Sequence, residues 1–289
     1  MSPDLLRRLA AVEGVVFDVD GCLVLSDGPG GSGGRALPGA ADAIAAVRRS
    51  GRRLVAFTNA SNLTPAGVAA ALRSVGLPLA ADDVLTPAVV GAEVIRERFG
   101  DRPVLAFGGP ALVDVLAAGG VNLRPGPHHG AAAVVIGWDT AFGQEQLQRA
   151  AEALWAGADL FVTSDAGRFA STRGPLAGVA GFISSGLAHV TGQRYEVLGK
   201  PSTAAMNVAA RRLGAPADRI LVAGDDLTLE ARMARGAGAV AVLITTGLHG
   251  EREAAAAPPT DRPDLVLRGL PDLMALWERA DALHLDGVA

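Results

Sequence analysis

Short apolar runs alternate with alanine-rich helical stretches along almost the whole chain, and that alternation dictates βαβ units with parallel strand pairing. The runs cover Val15–Val19, Leu54–Thr58, Val104–Phe107, Ala133–Gly137, Leu160–Thr163, Ile220–Ala223 and Val240–Ile244. Strands so rich in valine, leucine and isoleucine fit a sheet buried on both faces. Helix starts between them are well marked. Thr64-Pro65 and Thr86-Pro87 each set an N-cap residue before a proline at the first helical position, and Gly76 and Gly100 close those helices. Further helices are expected over Ala40–Arg49 and Thr203–Leu213. A last one is expected near Pro271–Arg279, after a surface connection from Glu251 to Pro263.

At 289 residues the chain is long for one compact unit, so about two domains are expected. Aromatic residues make up only 4%, which fits helix–sheet layers packed with small aliphatics better than an aromatic-rich β-sandwich. A net charge of −4 with scattered arginines argues against nucleic-acid binding. Cys22 is the only cysteine, which excludes an intrachain disulfide and a cysteine-rich metal site. No apolar stretch reaches the roughly 18 residues of a membrane span. A soluble cytoplasmic protein with no membrane partner is therefore expected. His128-His129 point to opposite sides of an extended segment, so a shared metal is not expected there.

Four places carry chemistry-bearing residues at the ends of these elements. The first strand runs into Asp18-Val19-Asp20-Gly21, two carboxylates one residue apart and then a glycine. Ligands of open α/β sheets bind outside the carboxyl ends of the strands, so these acids fall where chemistry would be done. Gly21 would let a backbone amide approach an anion. The second strand ends in Thr58-Asn59, either a plain turn or donors to a phosphoryl group. Gly199-Lys200-Pro201-Ser202 precedes a helix, with Lys200 either solvated or set to neutralise a carboxylate and a phosphoryl group. Gly224-Asp225-Asp226 follows a further strand, where Asp225 could ligate Mg²⁺ or simply cap a helix over Leu227–Ala234. The glycine-rich Gly28–Gly34 loop lies too far from a helix start for a phosphate cradle and reads as a mobile flap or an insertion.

Taken in order, DVDG, FTN, GKPS and GDD resemble the four motifs of the haloacid dehalogenase (HAD) superfamily. The phrases LPGA, FTNASN, FVTSD, GKPS and VAGDD resemble its subclass IIA, the p-nitrophenylphosphatase-like and NagD-like phosphatases, over about Gly14 to Gly247. The resemblance implies an α/β fold: a Rossmann-like parallel-sheet core (HAD fold) with an inserted smaller α/β cap domain. The core would comprise residues 1–86 and 197–289 and the cap residues 87–196.

By the same resemblance, Asp18 is the nucleophile and Asp20 the general acid/base of a phosphatase acting on a small phosphorylated metabolite. Mg²⁺ is the implied cofactor, held by the side chains of Asp18 and Asp225 and the backbone carbonyl of Asp20. Gly21, Thr58, Asn59 and Lys200 would surround the phosphate. The family's second acid in the fourth motif is commonly aspartate; this chain has Glu230 at that spacing and Asp226 as a competitor. From the cap, Asp165, Arg168 and Arg173 are candidates to contact the leaving group. Many relatives dimerise through the cap, which leaves a homodimer open. A phosphoryl-transferring mutase and a catalytically faded scaffold that binds a phospho-ligand are the alternatives.

Overall fold

Strand Gly14–Asp18 is buried along its whole length and lies inside a six-stranded sheet. The structure, a computed structural model, describes residues 2–124 and 130–286; His128-His129 lie outside the described residues. The sheet order is Leu265–Leu267, Val240–Ile244, Ile220–Gly224, Gly14–Asp18, Arg53–Phe57 and Val84–Leu85, with every neighbouring pair parallel. Successive side chains of a strand point to opposite faces, which splits the apolar runs between two cores. Val15, Phe17, Leu54 and Ala56 pack on one side with Ile44 and Leu72, and Val16, Val55 and Phe57 pack on the other with Met206 and Val222.

The strand register decides where the polar ends meet. Asp18 is level with Phe57, and Phe17 is level with both Ala56 and Ala223. The residues just beyond, Thr58 and Asp225, are thereby brought to the same carboxyl edge as Asp18 and Asp20.

A second sheet is built from the intervening chain in the order Tyr195–Val197, Asp159–Val162, Ala133–Ile136, Val104–Phe107, again all parallel. Helices Gln144–Trp155 and Val179–Thr191 supply Leu154, Ile183 and Leu187 to one of its faces. Helices Pro87–Phe99 and Pro110–Ala118 supply Ile95, Leu112 and Leu116 to the other. Two small antiparallel hairpins complete the layout: Val24–Leu25 with Arg35–Ala36 after the first strand, and Arg168–Phe169 with Leu176–Ala177 in the smaller unit.

Several local expectations are corrected. Thr64 caps its helix by accepting from Gly67 N at 3.1 Å, whereas Thr86 makes no such bond and its hydroxyl is buried without a partner. The helix after Thr86 begins on the fixed φ of Pro87 instead. The connection after Glu251 contains a short helix, Glu251–Ala256, and the last helix runs over Leu270–Asp286. The segment after Asp226 opens as a wide π-helical turn, Leu227–Ala231, before the α-helix Arg232–Ala237. Among the described residues, no helix is long and apolar enough to cross a membrane.

Candidate active site

Lys200 is buried at the carboxyl edge of the larger sheet and is the hub of the site. Its Nζ donates to Asp18 Oδ1 and, at 2.9 Å, to the carbonyl of Phe57, and it lies 2.6 Å from Glu230 Oε1. The lysine is delivered by a loop that ends at Ser202, whose hydroxyl caps the Thr203–Leu213 helix by accepting from Ala205 N at 3.0 Å. Asn59 fixes that loop: Lys200 N donates to Asn59 Oδ1 at 2.9 Å, and Asn59 Nδ2 donates to the Lys200 carbonyl at 3.0 Å. The side chain of Asn59 is thus committed to positioning.

Four acids, Asp18, Asp20, Asp225 and Glu230, are crowded at this edge, and burial raises the carboxyl of each. Burial pushes the Asp18 carboxyl up to about 8; Lys200 pulls it back down, while Glu230 and Asp20 add to the rise. Asp225 is raised by burial and then by the charges of Asp18 and Glu230, and Glu230 is raised by burial against the pull of Lys200. Burial alone would lower Lys200, but Asp18 and Glu230 outweigh it and hold the ammonium above its ordinary value. One cation is too little charge for this many buried carboxylates.

Glu230 reaches Lys200 because the π-helical turn swings it back toward the strand end, where its other oxygen accepts from Asp226 N at 3.1 Å. Such turns are frequent at functional sites. Asp226 is occupied elsewhere: its Oδ1 accepts from the amide and the hydroxyl of Thr228, both at 2.7 Å. The helix cap is therefore Asp226, which leaves Asp225 with Leu248 N as a donor at 2.8 Å and a place facing the other acids.

Gly21 serves the site differently from its expected role. Its amide donates to Val24 O at 2.8 Å, so the turn uses it and no free N–H is offered to an anion. The residue has φ +107°, and a Cβ there would overlap the Asp225 carboxylate. Glycine is required so that Asp225 can come close.

Asp20 has its own shell. Ser26 Oγ donates to Oδ1 at 2.5 Å, Gly31 N donates to Oδ1 at 3.0 Å, Gly30 N donates to Oδ2 at 2.8 Å, and Thr58 Oγ1 lies 3.3 Å from Oδ2. Burial raises the Asp20 carboxyl, and the bonds from Ser26, Gly30 and Gly31 oppose that rise. The glycine-rich loop is therefore no simple insertion. It folds back onto Asp20, and Gly31 at φ +82° lies against Leu72, where a Cβ would be tight.

The residues present fit a divalent cation. Asp18 Oδ2 is buried with no hydrogen-bond partner, and Asp225 is held beside it in electrostatic reach. Among the described residues, no three acid, histidine or cysteine side chains converge as a cage. Mg²⁺ asks for less, since it keeps several waters and takes one or two carboxylates.

A cavity of about 70 Å³ opens between the two units. Asp18, Asp20, Thr58, Asn59, Lys200 and Asp225 line its floor; Trp138, Ser164, Arg168, Phe169 and Val179 from the smaller unit line its roof. The rings of Trp138 and Phe169 meet edge to face at 5.8 Å. Ser61 pins this roof, accepting from Trp138 N at 2.8 Å and bonding Thr163 Oγ1 at 3.1 Å. Of the three roof candidates expected from sequence, only Arg168 lines the cavity. Asp165 instead lines a separate cavity with Arg232, and Arg173 reaches the carbonyl of Asp27. Nothing in the sequence marks Ser26, Ser61, Trp138 or Phe169, and Gly30 and Gly31 are signalled only as part of the glycine-rich loop.

Comparison with known proteins agrees with this geometry. A model of haloacid dehalogenase-like hydrolases matches residues 15–122, and a HAD-hydrolase-like model matches residues 197–273. The chain is 26% identical over 265 residues to the sugar-phosphatase AraL of Bacillus subtilis, covering 92% of this chain and 93% of that protein. It superposes on the glycerol phosphate phosphatase of Mycobacterium tuberculosis in complex with magnesium with a TM-score of 0.82 at 28% identity, covering 92% of this chain and 77% of the other. The 4-nitrophenylphosphatase of Thermotoga maritima gives a TM-score of 0.81 at 27% identity, covering 94% and 98%. With both halves of the larger sheet matched by HAD models and phosphatases among the similar proteins, this chain belongs to the haloacid dehalogenase superfamily, subclass IIA, and is a hydrolase of phosphoric monoesters.

Proposed function

We propose that this hydrolase is a Mg²⁺-dependent phosphatase that cleaves a small-metabolite phosphomonoester through an aspartyl-phosphate on Asp18. The observation that carries the reading is Lys200 Nζ, buried and shared between Asp18 and Glu230 on the floor of the cavity. An ammonium held there neutralises the nucleophile and the incoming phosphate together, in surroundings where charge is poorly screened.

In the first step a carboxylate oxygen of Asp18 forms a bond to phosphorus as the ester P–O bond breaks, and Asp20 gives its proton to the departing oxygen. In the second step Asp20 takes a proton from water, whose oxygen attacks phosphorus. The Asp18–phosphate bond then breaks, and both carboxylates return to their starting state. Burial of Asp20 favours the protonated form that the first step needs, while its bonds from Ser26, Gly30 and Gly31 steady the anion that results. Thr58 lines the floor, where its hydroxyl would donate to a phosphate oxygen.

The side chains of Asp18 and Asp225 and the backbone carbonyl of Asp20 would hold the cation. The chemistry that a bound Mg²⁺ supplies is neutralisation of charge between two anions that otherwise repel. The smaller unit acts as a cap whose roof of Trp138, Phe169 and Val179 excludes water and bounds the size of the leaving group. The buried, lone Cys22 fits a reducing, cytoplasmic setting. The test is phosphate release from a panel of sugar, polyol, nucleotide and aryl phosphates with and without Mg²⁺. Release by the wild type, lost in Asp18→Asn, supports the reading; release no greater than that variant's on every ester refutes it.

A further inference from the structure

We infer that Ser26 and Asp27 form a mechanical link through which the cap sets the position of Asp20. The inference rests on the acid/base reading of Asp20 above. Three of the donors to the Asp20 carboxylate, Ser26 Oγ, Gly30 N and Gly31 N, come from one short loop. The other side of the same loop is held by the cap hairpin: Thr172 N donates to the Ser26 carbonyl at 2.9 Å, Thr172 Oγ1 donates to Asp27 Oδ1, and Arg173 reaches the Asp27 carbonyl at 3.4 Å. Ser26 therefore touches the acid with its side chain and the cap with its main chain.

Gly30 and Gly31 are buried against Ala60, Leu63 and Leu72 of the larger unit, but the stretch through Asp27 and Gly28 has little else to fix it. It closes on itself through Asp27 N and Gly28 N, both bonded to the Ser32 carbonyl, and a Cβ at Gly28 would meet open space. At Ser26 and Asp27 the bonds from the cap hairpin therefore help to set where the loop rests. The side-chain bonds from the cap are exposed and each is modest alone, but all the bonds from the cap act on a loop whose donors orient one carboxyl group. Seating of the Ser171–Gly174 tip on Asp27 places Asp20 for proton transfer. Ser26 is a positioning residue and Asp27 and Thr172 are the coupling pair.

Leaving-group chemistry separates positioning of the acid from simple docking of the cap. An alkoxide must be protonated as the P–O bond breaks, whereas p-nitrophenolate departs readily without a proton. The value of kcat/KM reports only the steps through transfer to Asp18, so water attack does not enter. The experiment compares kcat/KM for glycerol phosphate and p-nitrophenyl phosphate, with Mg²⁺, in wild type, Ser26→Ala, the double variant Asp27→Ala/Thr172→Ala, and Asp20→Asn. Folding is checked by thermal melting, and because Ser26 is fully buried the exposed double variant carries the test if Ser26→Ala does not fold. The alkyl-to-aryl ratio is expected to fall about 100-fold in Asp20→Asn and about tenfold in the link variants. An unchanged ratio in the link variants, with or without an equal loss on both esters, overturns the link while leaving the acid reading standing. An unchanged ratio in Asp20→Asn overturns the acid reading and the link with it.

Discussion

Glu230 Oε1 lies 2.6 Å from Lys200 Nζ with both side chains buried, so the acid five residues after Asp225 is spent on the lysine. Glu230→Gln removes one of the two charges that hold the ammonium. It is expected to lower kcat about tenfold while the Mg²⁺ concentration for half-maximal rate changes little. Asp225→Asn is expected to raise that concentration by about 100-fold. Magnesium titrations of both variants check this, and a matching rise in Glu230→Gln would put Glu230 on the metal instead.

The crowded acids make stability depend on pH and on the cation. A carboxyl whose folded pKa is raised keeps its proton where the unfolded chain has lost it. Stability is therefore lost as pH rises above the ordinary carboxylate range, for Asp18 until about 8. The melting temperature without metal is expected to fall between about pH 5 and pH 8, and Mg²⁺ is expected to raise it more at the higher pH. At 100 times its dissociation constant the ion adds about 2.7 kcal/mol. Asp225→Asn should melt higher than the wild type in chelator at the higher pH and lose most of the Mg²⁺-induced rise. Melting curves in which chelator changes nothing for the wild type would count against the cation.

Gly21→Ala tests the close approach of Asp225. A Cβ at φ +107° is strained and overlaps the Asp225 carboxylate. Stability is expected to drop by about 1–3 kcal/mol, and activity should fall further than the stability loss explains, with partial recovery at high Mg²⁺. Wild-type kinetics at ordinary Mg²⁺ would show that Asp225 has room to move.

Behind the π-helical turn, Arg232 donates to both oxygens of the buried Asp261, at 2.8 and 2.6 Å, and holds that carboxyl below its ordinary value. A depressed folded pKa adds stability above the unfolded value, and that stability is lost as pH falls through the folded one. Because the arginine is half exposed, the pair is worth about 1 kcal/mol. Asp261→Asn should melt lower than the wild type at neutral pH, and the gap should close by about pH 3. A gap that persists in acid would mean lost packing rather than lost charge.

Sequence was most legible where chemistry sits at the end of a buried strand. Asp18, Asp20, Thr58 and Asp225 stand in that position, and parallel register alone brings them to one edge. Lys200 was readable from its place before a helix. The roles of Glu230 and the glycine loop were not readable, because both depend on chain doubling back: a π-helical turn in one case, and a fold-over onto Asp20 in the other. Asp165 and Ser164 are adjacent in sequence, yet only Ser164 lines the cavity, a choice set by the path of the loop after Asp159–Val162. The edge strands Val84–Leu85, Tyr195–Val197 and Leu265–Leu267 are too short to stand out from their flanks.

The amide of Asn59 divides its loyalties unevenly. Two of its bonds grip the main chain on either side of Lys200, and a third, from Nδ2 to Ser164 Oγ at 3.2 Å, crosses to the smaller unit. Were the roof to lift to admit an ester or free an alcohol, Asn59 would exchange only this third bond for water. The ammonium and its carboxylate neighbours can therefore stay assembled through every turnover, and product can depart without dismantling the half of the machinery that receives the next phosphate.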